Sequence, residues 1–179
     1  NIDVSYCLKG GFGTRSSATE LSETKSTFNA NTVSSANDTL TLTEAQVTAL
    51  AVGNAVVYET GGSVDIGLVN DTVYYVHSKP SSTTIKLKTS AAATDAIDLT
   101  QGSSEAGHGI TKIPAAGDTT FVVADGNKLK KWDTITIGSD TQEYTVTGIS
   151  TNTITIRQKD GKAVDGIKTT VTGKALSID

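Results

Sequence analysis

Ser103, Ser104, Glu105 and His108 stand close together in "GSSEAGHGIT". Hydroxyl, carboxylate and imidazole are the parts of a nucleophilic triad, in which the imidazole takes the hydroxyl proton and the carboxylate orients the ring. The spacing matches no hydrolase motif, and a flexible glycine loop that happens to hold these types is the simpler reading. The other histidine, His77, lies in "VYYVHS", where alternation sets it on the same strand face as Tyr75. Two histidines are too few for a three-histidine metal site. Cys7, the single cysteine, excludes an internal disulfide and any zinc site of paired cysteines. "KGGFGTRSS" lacks the Lys-Ser/Thr ending of a phosphate loop and reads as a hinge.

Asp118, Asp125, Asp133, Asp140, Asp160 and Asp165 each fall at a turn, where aspartate is favoured for backbone reasons, and none has calcium-loop spacing. Asn37-Asp38-Thr39 and Asn70-Asp71-Thr72 are formal glycosylation acceptors, or simply Asx turns. Lys128, Lys130 and Lys131 sit beside Asp125 and Asp133 and read as a solvated face. Trp132, the sole tryptophan, enters a strand and is either a core plug or a binding anchor. No catalytic residue, metal ligand set or cofactor motif is expected, and the chain is read as a protein that is not an enzyme.

The elements around these residues are strands. Of 179 residues some thirty are Thr, aromatics are 5% and hydrophobics 36%, which suits thin β layers rather than a helical core. The net charge is −4 and the 15 Lys and Arg are scattered, so no basic stripe tracks a phosphate backbone and nucleic acid is not an expected partner. No apolar run approaches a membrane span, and the first residues lack a signal peptide's basic start and apolar middle. A soluble protein is expected, away from membranes. The absence of methionine suggests a processed or trimmed chain.

The strands repeat. "NDTLTLTEAQVTALAVGNAVVYETGG" reads as strand, polar turn, strand, and Thr43 with Gln46 has capping-box spacing that predicts a helical turn or two from Glu44 to Ala51. "GLVNDTVYYVHSKPSSTTIKLKTS" adds two strands with "SKPSS" as their turn. From Gly117 to Ile156 the same order recurs, with Tyr75 and Tyr144, Thr84 and Thr153, and Leu87 and Ile156 all 69 apart, and Val56 and Ile135 79 apart. Extra residues in "ETGGSVDIGLVNDT" account for the difference, and Trp132 falls at Gly53 or Asn54 of the first copy. Pro114 and Gly117 mark the boundary. After Ile156, Asp160-Gly161 fits a hairpin turn with two further short strands.

At the amino terminus Ile2, Val4, Tyr6 and Leu8 share one face of a period-two strand, ahead of glycines and a Ser/Thr/Glu connector without periodicity. Such a strand pairs within its own chain or adds to a neighbour's sheet edge.

The motif "TTFVVAD…WDTITIGSDTQEYTVTGISTNTITI" resembles short β modules of bacteriophage tail, baseplate and capsid-associated proteins, which carry a "GDTITI…YTVT.I..NTITL"-like signature. The first copy is similar to a related module of phage, including cyanophage, and bacterial surface proteins. The resemblance covers residues 37 to 156, departs from the pattern by having Trp132-Asp133 where Gly-Asp is usual, and leaves the first 27 residues unmatched. It implies no shared active site.

The expected fold is therefore all-β: two tandem small antiparallel β-barrel or sandwich modules, residues 28–113 and 114–179, behind an extended N-terminal arm, residues 1–27. The expected function is that of a virion structural protein, a capsid decoration or tail-associated subunit, forming homo-oligomers in an assembly with other virion subunits. Interface residues would be Ile2, Val4, Tyr6 and Leu8, with Trp132 as a binding anchor. The alternatives are an extracellular glycan- or surface-binding module using Trp132, Tyr74 and Tyr75, and a cell-surface filament subunit that donates its first strand.

Overall fold

The computed structural model describes residues 19–159, 166–167, 170–171 and 175–178, and there the protein is all-β, with two antiparallel sheets of six strands. In chain order the first strands are β1 (Thr19–Glu20), β2 (Lys25–Asn29), β3 (Leu40–Thr41), β4 (Ala55–Glu59), β5 (Thr72–Ser81) and β6 (Thr84–Lys88). They are followed by β7 (Ala106–Ile113), β8 (Thr120–Val122), β9 (Thr134–Ile137), β10 (Asp140–Ser150), β11 (Thr153–Gln158) and β12 (Ala175–Ile178). The expected interface strand of Ile2, Val4, Tyr6 and Leu8 and the turn at Asp160-Gly161 lie outside the described residues.

Alternation makes the sheets. In β9, "TITI", Ile135 and Ile137 are buried and the threonines half-buried, so the strand gives isoleucine to the core and threonine to the outer face. Each sheet has its own apolar cluster. One runs from Phe28 through Leu40, Val56, Val76 and Ile85 to Ile110, and the other joins Leu21 to Phe121, Ile135, Tyr144, Ile154 and Leu176.

The two sheets have one topology. Their strand orders are β2-β7-β4-β5-β6-β3 and β1-β12-β9-β10-β11-β8, so every strand has a counterpart in the same place. The copies are nested rather than merely consecutive. β1 precedes the whole first sheet yet pairs with β12, Thr19 opposite Leu176, and Leu21 just after it bridges Val123 just after β8. That bridge, with Ser22 N–H donating to Val122 O (3.1 Å) and Ala124 N–H to Glu20 O (2.9 Å), curls the second sheet back on itself. The stretch read as an aperiodic connector thus crosses from one sheet to the other. Its register is set by backbone hydrogen bonds and one buried leucine, which is too little apolar content to show as periodicity.

Register also refines the repeat. Tyr74 lies opposite Val56 as Tyr144 lies opposite Ile135, so the buried tyrosines are 70 apart, and Tyr75 points the other way. The offset returns to 69 at Ser81 and Ser150, because β5 carries one extra residue at Lys79-Pro80. "SKPSS" is accordingly not all turn. β5 runs through Pro80 at a register irregularity, where a missing N–H breaks no ladder bond, and the turn is Ser82-Thr83.

Between β3 and β4 lies a helix, α1 (Glu44–Ala49), opened by the predicted capping box: Gln46 N–H donates to Thr43 Oγ1 and Thr43 N–H to Gln46 Oε1. The second copy has a shorter 3-10 turn there, Gly126–Lys128, capped by Asp125.

Candidate functional site

Where the shortened turn of the second copy enters β9, the backbone makes a tight corner. Asp133 Oδ2 accepts from Lys130 N–H (2.7 Å), and Trp132 N–H donates to Val146 O (2.8 Å). In the first copy Asn54 Oδ1 accepts from Ala51 N–H (2.9 Å) and Gly53 N–H donates to Val76 O (2.8 Å). Trp132 is therefore the counterpart of Gly53, and both are left-handed, at φ +78° and +89°. A Cβ at Gly53 would meet no atom within 4 Å, so it is the backbone conformation, not crowding, that suits glycine there.

A tryptophan in this conformation costs about 1–3 kcal/mol in backbone strain. Its indole recovers little of this by burial, being 61% exposed. Trp132 is thus not a core plug. Lys131 Nζ lies 5.0 Å and Arg157 Cζ 5.7 Å from the ring, a cation–aromatic cluster on the module's corner. Lys128 and Lys130 are exposed nearby in sequence, while Asp125 and Asp133 are turned onto backbone N–H groups.

A second feature is the loop between β4 and β5. Residues 60–71 connect β4 to β5, whereas β9 and β10 are joined by Gly138-Ser139. The long loop is pinned: Asn70 Oδ1 accepts from Thr60 N–H (2.8 Å), Asp65 Oδ1 from Gly67 N–H (2.8 Å) and Tyr74 OH from Val69 N–H (2.9 Å), with Ile66 buried. It borders an open groove of about 390 Å³ lined by Tyr58, Val64, Asp65, Leu68 and Val69, and Val69 is 66% exposed.

Beneath the loop runs a buried polar chain. Tyr58 OH and His108 Nδ1 are 2.6 Å apart, His108 Nε2 and Glu105 Oε1 3.0 Å, and the Glu105 carboxylate accepts from Val64 N–H (3.0 Å) and Ser63 N–H (3.1 Å). The Val64 amide, with those of Ser63 and the His108 ring, holds the Glu105 carboxyl below its ordinary range, and burial pushes the Tyr58 phenol up. With Nε2 as donor every member is satisfied: the phenol donates to Nδ1 and the ring donates to Glu105.

This is where sequence and structure part. His108 is not in a flexible loop but in β7, wholly buried, with its ring near Phe28. Glu105 does meet it, yet Ser104 Oγ accepts instead from Asn29 Nδ2 (3.3 Å), and the third partner is Tyr58. With no exposure His108 meets no substrate, so the group works as a tether for the loop. The signal was present in "GHGI": His108 alternates with Ile110, and Tyr58 with Val56, on inward faces.

Of the proposed aromatic platform Trp132 is exposed, Tyr75 half-buried and Tyr74 buried. Tyr74 is 6% exposed, and Tyr75 OH lies 3.2 Å from Thr170 Oγ1. His77 bonds Ser78 Oγ and Thr94 O, both at 3.0 Å. Asp118, Asp125 and Asp133 accept from backbone N–H groups in turns, as expected. Asp140 is buried, and Tyr144 OH donates to it at 2.5 Å. Among the described residues no three His, Cys, Asp or Glu side chains group so as to hold a metal ion, and no helix is long and apolar enough to cross a membrane. Compared with protein-family models, curated proteins and solved structures, the chain matches none.

Proposed function

We propose that the chain is a non-enzymatic structural protein of a virion, a capsid-decorating or tail-associated subunit that acts through contacts with other subunits and with further copies of itself. The observation that carries the reading is Trp132. A large aromatic, held exposed in a backbone conformation suited to glycine, adds little to the fold and much to a contact surface. The titratable groups closest to chemistry, Tyr58, His108 and Glu105, serve to hold a loop, which supports scaffolding over catalysis. The virion setting rests on the resemblance of residues 37 to 156 to phage β modules, and the strand of Ile2, Val4, Tyr6 and Leu8 is proposed to strap across a neighbour.

The test is mass spectrometry of density-purified virus particles from the source of the chain. Peptides of this chain at a fixed ratio to the major shell or tail subunit are expected. Their absence from intact particles would overturn the reading.

A further inference from the structure

Because the two sheets share a topology, the places where they differ outwardly are informative. Module two carries Trp132 between Lys131 and Arg157 where module one carries Gly53. Module one carries the long 60–71 loop with its groove where module two has a two-residue turn. One departure is a projecting aromatic and the other a hollow.

We propose that they are the two halves of one contact between copies of this chain, the Trp132 corner of one molecule seating in the Tyr58–Val69 groove of the next. Three observations favour a second copy as the occupant. The groove, at about 390 Å³ and open to solvent, has room for an indole between Val64 and Val69, with Thr60, Ser63, Asp65 and Asn70 as its polar lining. Its walls are preformed, since Tyr58, His108 and Glu105 tie the loop down from beneath, so seating needs no costly ordering of the loop.

The charges match as well. The match is local and not module-wide, since residues 25–113 hold eight Asp and Glu against five Lys, and residues 19–24 with 114–179 hold ten against eight Lys and Arg. Asp65, exposed on the groove, would face the cations that flank the incoming indole. An occupant of this groove should bring an apolar ring edged with positive charge, and the chain itself presents one. The molecule's own Trp132 is not seated there, being solvent-exposed against Lys131 and Arg157.

Knob and hollow lie on different modules, so with one contact to each neighbour the association is heterologous and repeats head to tail, giving rings or open chains. It deepens the assembly reading by naming the partner surface, and it is tested on the chain alone, so it stands or falls separately from the presence of the protein in particles.

The experiment is sedimentation velocity of the full chain over a concentration series, with emission of the sole tryptophan read in parallel. Mass should rise with concentration while the emission moves to the blue, and high salt should weaken both. Trp132→Gly, whose new residue suits the left-handed backbone, should weaken association about 30-fold or more, the size of a hot-spot loss. Val69→Lys places a cation at the groove from an exposed position and should do the same.

The mixture is decisive. Trp132→Gly keeps the groove and Val69→Lys keeps the knob, so together they should form a one-to-one dimer that grows no further. A wild-type chain that stays monomeric with unshifted emission would overturn the proposal, as would association untouched by either substitution, which would give assembly to another surface. A monomer whose emission shifts only with polygalacturonate would assign the corner to an acidic glycan and also overturn it.

Discussion

Trp132 and Gly53 occupy the same place in their respective sheets: each donates its N–H over 2.8 Å, to Val146 O and Val76 O, from a left-handed backbone. Since no atom crowds a side chain at this corner, the difference between them is backbone energy against whatever the indole does outside the fold. Trp132→Gly is expected to raise the unfolding free energy of the monomer by about 1 kcal/mol, the strain relieved less the entropy a glycine adds to the unfolded chain. Gly53→Ala should lower it by a similar amount. Urea denaturation measures both, and a destabilised Trp132→Gly monomer would mean that the indole supports its own fold.

The Tyr58–His108 pair is buried, so each partner is the other's main route to hydrogen-bond satisfaction. Tyr58→Phe leaves Nδ1 of His108 without the phenol and should cost about 1–3 kcal/mol, the penalty of an orphaned buried polar group. His108→Leu leaves the phenol with Thr60 alone and removes Glu105's ring partner, at a similar cost. The double substitution should cost clearly less than the two added, because the second change removes a group already orphaned. Strict additivity in a double-mutant cycle would show the pair to be uncoupled.

Two carboxyls should act on stability in opposite pH windows. Glu105 has its pKa lowered, foremost by the Val64 amide, so its contribution is present above the unfolded value near 4.5 and lost as pH falls through the folded one. Glu23 has its pKa raised, foremost by burial, so its contribution is full below 4.5 and lost as pH rises through its folded value. In pH-dependent denaturation Glu105→Gln should flatten the acid limb, and Glu23→Gln should flatten the fall in stability just above 4.5. If either variant left the profile unaltered, that carboxyl would not be linked to folding.

Much of the fold was legible because it rests on local rules. Thr/Ile alternation gave the strands, Thr43 with Gln46 gave α1, and a repeated order of elements announced two related modules. What stayed hidden depends on pairing across distance. Nothing local in "SATELSETK" says that Thr19 lies opposite Leu176 while Lys25 lies opposite Thr111. The one-residue slip between Tyr74 and Tyr75 was hidden for a related reason: two adjacent tyrosines are equivalent on paper, and only the partner strand decides which faces in. At the candidate site, Trp132 was legible as an oddity against Gly53, but its exposure was not, since an aromatic at a strand entrance is as compatible with a core as with a surface.

The nesting of the sheets makes a prediction that a simple tandem arrangement would not. Leu21 precedes every residue of the first sheet but is buried in the core of the second, bridged to Val123. Leu21→Ala should therefore cost about 2–5 kcal/mol, the range for truncating a buried leucine, and the loss should fall on distant sequence. Hydrogen exchange followed by mass spectrometry should show protection falling in residues 120–137 and 153–158, with residues 55–59 and 72–88 unchanged. Removing residues 1–13 should leave both regions protected, whereas removing residues 1–24 should expose the second sheet, because β1 and Leu21 go with it. If instead exchange rose in the first sheet alone, the segment around Leu21 would belong to β2 and its neighbours, and the two modules would follow one another along the chain without interlocking.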